Sequence, residues 1–216
     1  MLEYRGLKMS WLGHDGFRIK NTKTIYVDPY LVKTSEEADI ILITHEHYDH
    51  CGRGAVKRIS SAKTTIITTP VVKSQLSGMK VKEIRTAKPG EKILVDDVSV
   101  ETVRAYNVNK FSSPGQVFHP ERDEMLGFIV TMNGVRIYHA GDSDSIPEMD
   151  RLDVDIACIP VSGTYVMTAE EAAEAAKRIK PKIAIPMHYG SIVGGVRDAE
   201  RFKKLATCQV EILSRE

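Results

Sequence analysis

Short apolar or alternating runs, each closed by a turn signal, dominate the first two thirds of the chain. Lys8–Leu12, Gly16–Lys20, Thr24–Val27 and Ile40–Ile43 predict strands, because strand side chains alternate between faces and a doubly buried strand is apolar throughout. A short helix is expected at Ala55–Ile59, then strands at Thr64–Ile67, Val81–Ile84, Lys92–Val95 and Val98–Arg104. Asp96-Asp97 between the last two fits a tight hairpin. Asn133-Gly134, between Gly127–Met132 and Val135–Tyr138, is the strongest short hairpin signal, since both residues tolerate the positive φ of a type I′ turn.

The pattern then changes. Val154–Pro160 and Lys182–Pro186 predict buried strands. Between them, Thr168-Ala169-Glu170-Glu171 is a capping box opening an Ala-rich helix to about Ile179, and Pro181 stops it. A last helix is expected at Asp198–Leu205 and a closing strand near Val210–Leu213. Hairpin strands first and strand–helix–strand units later point to mixed β-sheet covered by helices, an α/β (α+β) class. Tyr106–Met125 breaks the rhythm: it has no clear period and contains Pro114, Gly115 and Pro120. A loop this long is usually functional, so a lid or site wall carrying His119 is expected there.

Composition narrows the classes. No linker or charge block divides the 216 residues, so one domain over 1–216 is expected. Lys and Arg number 30 against 29 Asp and Glu, a net charge of +1, which gives no whole-chain signal for nucleic acid or an anionic membrane. No apolar run approaches a membrane span. The N-terminus lacks the apolar core of a signal peptide, and Cys51, Cys158 and Cys208 are isolated, so a cytoplasmic, reducing setting is expected.

The chemistry concentrates in Thr44-His45-Glu46-His47-Tyr48-Asp49-His50, directly after an apolar strand. Histidine is the commonest ligand for zinc-like metals, and a divalent cation keeps clustered imidazoles neutral. On an extended segment His45 and His47 face one way, while Asp49 and His50 turn toward a second position, a layout for two metals. His139-Ala140-Gly141-Asp142 and Pro186-Met187-His188 likewise follow predicted strands. His14 reads equally as a plain turn residue or a substrate-facing one. Asp28 reads as a strand-end cap or a partner to a metal-bound imidazole. His139 reads as a packed or supporting residue, Cys51 as a small filler, and Gly163-Thr164-Tyr165 as a tight loop or a substrate contact.

The order His-x-His-x-Asp-His, then Gly-Asp, then a late His resembles the metallo-β-lactamase superfamily over nearly the whole chain. Trp11-Leu12-Gly13-His14 and Tyr26-Val27-Asp28-Pro29-Tyr30 look like the branch containing L-ascorbate-6-phosphate lactonase and the UPF0173-type hydrolases. The resemblance implies a four-layer αβ/βα sandwich of two mixed sheets flanked by helices. It implies His45 and His47 on a first metal, Asp49, His50 and His188 on a second, and Asp142 bridging them. The family's third first-site histidine is missing: its place reads Ala105-Tyr106-Asn107. His119, twelve residues on, is the preferred substitute, with the Asn107 amide oxygen competing.

The activity this implies is hydrolysis by a metal-activated water, with Asp49, Asp142 and His188 as catalytic residues, on a small ester, lactone or phosphate-bearing metabolite. Gly-x-Ser-x-Gly is absent, so no separate nucleophile is indicated. Two zinc ions suit the donor set, though manganese, iron and nickel fit similar ones. A metal-dependent nuclease or phosphodiesterase is the rival activity, against which the near-neutral charge argues. A non-catalytic metal-binding module is kept open by Asn107. No membrane partner is expected, and a homo-oligomer stays open.

Overall fold

The computed structural model describes the backbone of residues 1–216 and every side chain except that of Arg151. The first sheet has seven strands in sequence order: β1 (Leu2–Tyr4), β2 (Leu7–Gly13), β3 (Gly16–Lys20), β4 (Thr24–Val27), β5 (Ile40–Leu42), β6 (Thr65–Thr68) and β7 (Glu83–Thr86). Helix α1 (Arg53–Ile59) connects β5 to β6, and α2 (Pro70–Gln75) connects β6 to β7. The second sheet holds β8 (Lys92–Val95), β9 (Val98–Arg104), β12 (Leu126–Met132), β13 (Val135–His139), β14 (Ile156–Pro160), β15 (Ile183–Met187) and β16 (Gln209–Val210). A small hairpin, β10 (Phe111–Ser113) with β11 (Gln116–Val117), stands apart. Helices α3 (Ala169–Ile179) and α4 (Val196–Leu205) belong to the second half.

Each sheet runs three antiparallel pairings and then three parallel ones. β1 to β4 pair antiparallel and β4 to β7 parallel. β8, β9, β12 and β13 pair antiparallel, and β13 to β16 parallel. This is the two-sheet, helix-flanked α/β sandwich expected.

Alternation along the strands builds the layers. Ile25, Val27, Ile40, Leu42 and Ile67 point into the core shared with Val100, Phe128, Val130 and Ile137 of the other sheet. Their neighbours Tyr26, Ile41, Ile43 and Ile66 point outward, under Val56 and Ile59 of α1 and Val72 of α2. Strands covered on both faces must be apolar at every position, which is why Ile40–Ile43 carries no polar residue. Each such side chain contributes roughly 1.5–3 kcal/mol on burial. On the second sheet, α3 rests on β14 through Ala172, Ala175, Ala176 and Ile179. Its capping box is formed: the Glu171 N–H donates to Thr168 Oγ1 at 3.2 Å, and the Thr168 N–H to Glu171 Oε2 at 2.8 Å.

The differences from expectation are local. β1 and α2 carry too few periodic residues to be read from pattern. Val81–Ile84 is displaced to Glu83–Thr86, because Thr65 to Thr68 pair with Glu83 to Thr86. Val154–Pro160 begins later, at Ile156, and the closing strand shrinks from Val210–Leu213 to Gln209–Val210. The last helix begins earlier, at Val196, because the Gly195 N–H is capped by Asp198 Oδ2 at 2.8 Å. Asn133 and Gly134 have φ of 51° and 70°, as a type I′ turn needs. No helix among the described residues is long and apolar enough to cross a membrane.

Candidate metal centre

The site is built on the carboxyl ends of strands that pair in parallel, the end at which open α/β sheets bind their ligands. Asp28 follows β4 and the His45–His50 run follows β5. Across the core, Asp142 follows β13, Ser162 follows β14 and His188 follows β15. Two backbone hydrogen bonds are among the contacts that join the halves here. The Leu126 N–H donates to the Thr44 carbonyl at 3.1 Å, and the His188 N–H to the His14 carbonyl at 3.1 Å. That same carbonyl accepts Trp11 Nε1–H at 2.9 Å, so the β2–β3 turn is locked onto the His188 loop.

The donor atoms fall into overlapping groups, within each of which they lie within 4.8 Å of one another: His45, His47, His119 and Asp142; His14, Asp49, His50 and His188; and Asp15, His50, Asp142 and His188. Asp142 stands between the first two. Its Oδ2 is 4.0 Å from His45 Nε2, 3.6 Å from His119 Nε2 and 3.4 Å from His188 Nε2, while Oδ1 is 3.2 Å from His50 Nε2. His45 Nε2 and His47 Nδ1 are 3.0 Å apart. Donors held about 2.1 Å from one ion stand roughly this far from one another.

The far nitrogens of three histidines fix which atom faces inward. Thr44 Oγ1 donates to Asp28 Oδ2 at 2.7 Å, so at 2.9 Å it accepts from His45 Nδ1–H. Asp28 Oδ2 also accepts His50 Nδ1–H at 2.8 Å. Ser162 Oγ donates to the Thr164 carbonyl at 3.3 Å and so accepts His188 Nδ1–H at 2.9 Å. Each ring thereby turns an Nε2 lone pair toward the centre. His50 Nε2, His188 Nε2, Asp142 Oδ1 and both Asp15 oxygens are buried without a hydrogen-bond partner. Several orphaned donors of one kind aimed at a common point fit a divalent cation, and a packed polar core would not leave them so.

Electrostatics divides the histidines. Burial, then the neighbouring His50, holds His45 well below the usual imidazole range, and burial lowers His119 too. Burial also opposes charge on His50 and His188, but carboxylates outweigh it. Asp142 and Asp28 hold His50 well above its ordinary value, and Asp142 and Asp15 push His188 up to about 9. Against its own burial, Asp142 is held well below the carboxylate range by His188 and His50. His14, Asp28 and His188 take φ of 54°, 44° and 58°. A left-handed backbone at a non-glycine residue costs about 1–2 kcal/mol, which the packing around these three residues offsets.

The centre gathers every residue proposed as a ligand: His45, His47, Asp49, His50, His119, Asp142 and His188. Asn107 takes another part. Its Oδ1 accepts the His119 N–H at 3.0 Å and its Nδ2 donates to the Tyr165 carbonyl at 3.0 Å. Asp28 acts as both cap and imidazole partner, since Oδ1 accepts the Thr44 N–H at 2.8 Å. His14 belongs to the cluster: its Nε2 lies 3.0 Å from Asp49 Oδ2 and 3.5 Å from Asp15 Oδ2. His139 is packed and meets the Asp15 carbonyl at 2.8 Å. Cys51 is in none of the donor groups, and burial pushes its thiol up to about 11. Asp15 and Ser162 were not anticipated. The Gly13-His14-Asp15-Gly16 turn, two ionisable residues between glycines and apolar strands, carried a signal for the first; Ser162 carried none.

Two sheets with a His/Asp centre at their common edge define the metallo-hydrolase class of α/β sandwich. Residues 8–188 match the beta-lactamase superfamily domain. The chain belongs to the metallo-β-lactamase superfamily, among the UPF0173 metal-dependent hydrolases. It is 34% identical over 212 residues to such a protein of Thermoplasma acidophilum, covering 93% of this chain and 91% of that one. With one from Methanoculleus marisnigri it shares 32% over 207 residues, covering 92% and 88%. A crystal structure from Parabacteroides distasonis superimposes with a TM-score of 0.81 at 32% identity, covering 97% of this chain and 94% of that chain. Igni18 of Ignicoccus hospitalis shares the fold, with a TM-score of 0.75 at 21% identity.

Proposed function

We propose that this metal-dependent hydrolase works with two divalent cations, zinc foremost, on a small ester, lactone or phosphate-bearing metabolite. One observation carries the reading: His45, His50 and His188 each have Nδ1 committed to a neighbour, so three Nε2 lone pairs converge with Asp142. His45, His47 and His119 would hold one ion, Asp49, His50 and His188 the other, and Asp142 would lie between them. Bound there, such cations supply Lewis acidity and lower the pKa of water. Asp142 and Asp49 orient the attacking water and hold its proton at a carboxylate oxygen. The His14 contact keeps Asp49 in place and, with His50, holds its carboxyl below the usual range despite burial.

The test is turnover of a panel of activated esters, lactones and phosphodiesters by the zinc-loaded protein, with His47→Ala alongside. Cleavage of at least one substrate class, lost in His47→Ala, is expected. Failure of the whole panel, or equal turnover in the variant, would count against the reading.

A further inference from the structure

The donor groups open to solvent through a cavity of about 270 Å³ floored by His47, Asp49, His119 and Asp142. Its upper wall is apolar: Tyr48, Phe118, Tyr165 and Ile192 are exposed by 63%, 40%, 40% and 39%. Phe118 and Tyr165 meet edge to face at 4.7 Å, and Tyr48 stands against Tyr30 at 5.7 Å. Large apolar side chains gathered in the open around a polar floor mark a binding mouth. A cavity of roughly 150 Å³ suffices for a benzene ring. The space here takes a ring together with the bond to be cleaved.

Among the described residues, no lysine or arginine lines this cavity. Lys110, on the same loop as Phe118, is spent elsewhere, 3.3 Å from Asp144 and 2.7 Å from Glu171. Nor does the floor supply a cationic side chain: beside His47 and His119, which are proposed as metal ligands, it holds the carboxylates Asp49 and Asp142. A phosphate carried by the substrate away from the scissile bond would therefore meet aromatic faces and no counter-charge.

We infer that the substrate is a neutral ester or lactone bearing an aromatic or bulky apolar group, seated between Phe118, Tyr165, Tyr48 and Ile192. This rests on the hydrolytic reading above and narrows it by excluding substrates with a remote phosphate. Phe118 and Tyr165 thereby set specificity, the ring of the substrate packing against theirs.

The test has a turnover arm and a binding arm. Zinc-loaded protein is given 4-nitrophenyl 3-phenylpropanoate and 4-nitrophenyl 3-sulfopropanoate, which share a leaving group and differ in a remote neutral or anionic end. The phenyl ester should show kcat/KM at least about tenfold higher, a ratio worth one aromatic contact. Phe118→Ala should raise its KM about tenfold and leave kcat within about twofold, since it removes binding common to ground and transition states. Calorimetry with 3-phenylpropanamide and 3-sulfopropanamide, which lack the labile bond, reads the mouth without turnover. The phenyl amide should bind about tenfold tighter, and Phe118→Ala should abolish the difference. Equal or better use of the sulfonates in either arm overturns the inference. So does a dimer that Phe118→Ala dissociates, for then the mouth is a subunit contact. If no ester is cleaved yet the phenyl amide binds preferentially, the hydrolytic reading fails and the apolar site stands.

Discussion

Asn107 and His119 clamp one another through two hydrogen bonds. The Asn107 N–H donates to the His119 carbonyl at 2.8 Å, and Asn107 Oδ1 accepts the His119 N–H at 3.0 Å. The residue just beyond β9 thus binds the loop that supplies the imidazole, in place of supplying one itself. Asn107→Ala should leave the fold intact and weaken the first metal site about 10–100-fold, the usual effect of losing a group that orients a ligand. Competitive chelator titration reads this. Unchanged affinity would mean that the loop holds His119 unaided.

Asp28 serves Thr44 and His50 together, and Thr44 in turn fixes His45. Asp28→Asn replaces one acceptor oxygen with a donor, so it cannot satisfy all three of the Thr44 N–H, the Thr44 hydroxyl and His50 Nδ1–H. Both metal sites should weaken, the second by about 10–100-fold. Loss at the second site with the first untouched would show that Thr44 needs no help from Asp28.

Gly141 packs against both Leu126 and Thr44, where the two halves meet. A Cβ there would sit 2.8 Å from the Leu126 carbonyl and 3.2 Å from Thr44 Cγ2, at φ +61°. Gly141→Ala should cost about 1–3 kcal/mol in backbone strain, plus the displacement of Asp142 beside it. Gly134, at φ +70° with open space around it, is the control. Gly134→Ala should lower Tm but spare metal affinity. Equal metal affinity in both variants would contradict this placement of Asp142.

Without metal the centre should titrate. His188 is pushed up to about 9 in the folded chain, against about 6.5 in an unfolded one. A raised pKa gives stability that is fully present below about 6.5 and is lost as pH rises through about 9. Chelator-treated protein should therefore lose Tm across that window. Zinc-loaded protein should not, because coordinated imidazoles are already deprotonated. By the same linkage, zinc uptake at pH 7 should release protons, visible as a buffer-dependent calorimetric heat. Parallel Tm profiles with and without metal would contradict it.

Where side-chain period and turn chemistry agree, the sequence is legible. Asn133-Gly134 and the Thr168 box placed their elements nearly to the residue, and Lys92–Val95 and Val98–Arg104 have the expected bounds. The six-residue α2 and three-residue β1 were not legible, because one turn or one pairing leaves no period to detect. The ligand run was legible because imidazoles and a carboxylate packed so densely behind a buried strand repel or go unpaired unless a cation holds them. Asp15 and Ser162 were not, since their meaning lies in which loop of the opposite half they face. Asn107 was legible as a departure from the family pattern but not as a clamp, which needs the path of the chain from β9 to β12.

Metal content per chain tests the central claim most directly. Elemental analysis of protein stripped, reloaded with zinc and desalted should give two ions for the wild type and about one for each of His119→Ala and His188→Ala. No retained zinc in the wild type, or full stoichiometry in both variants, would contradict a two-ion centre built from these residues.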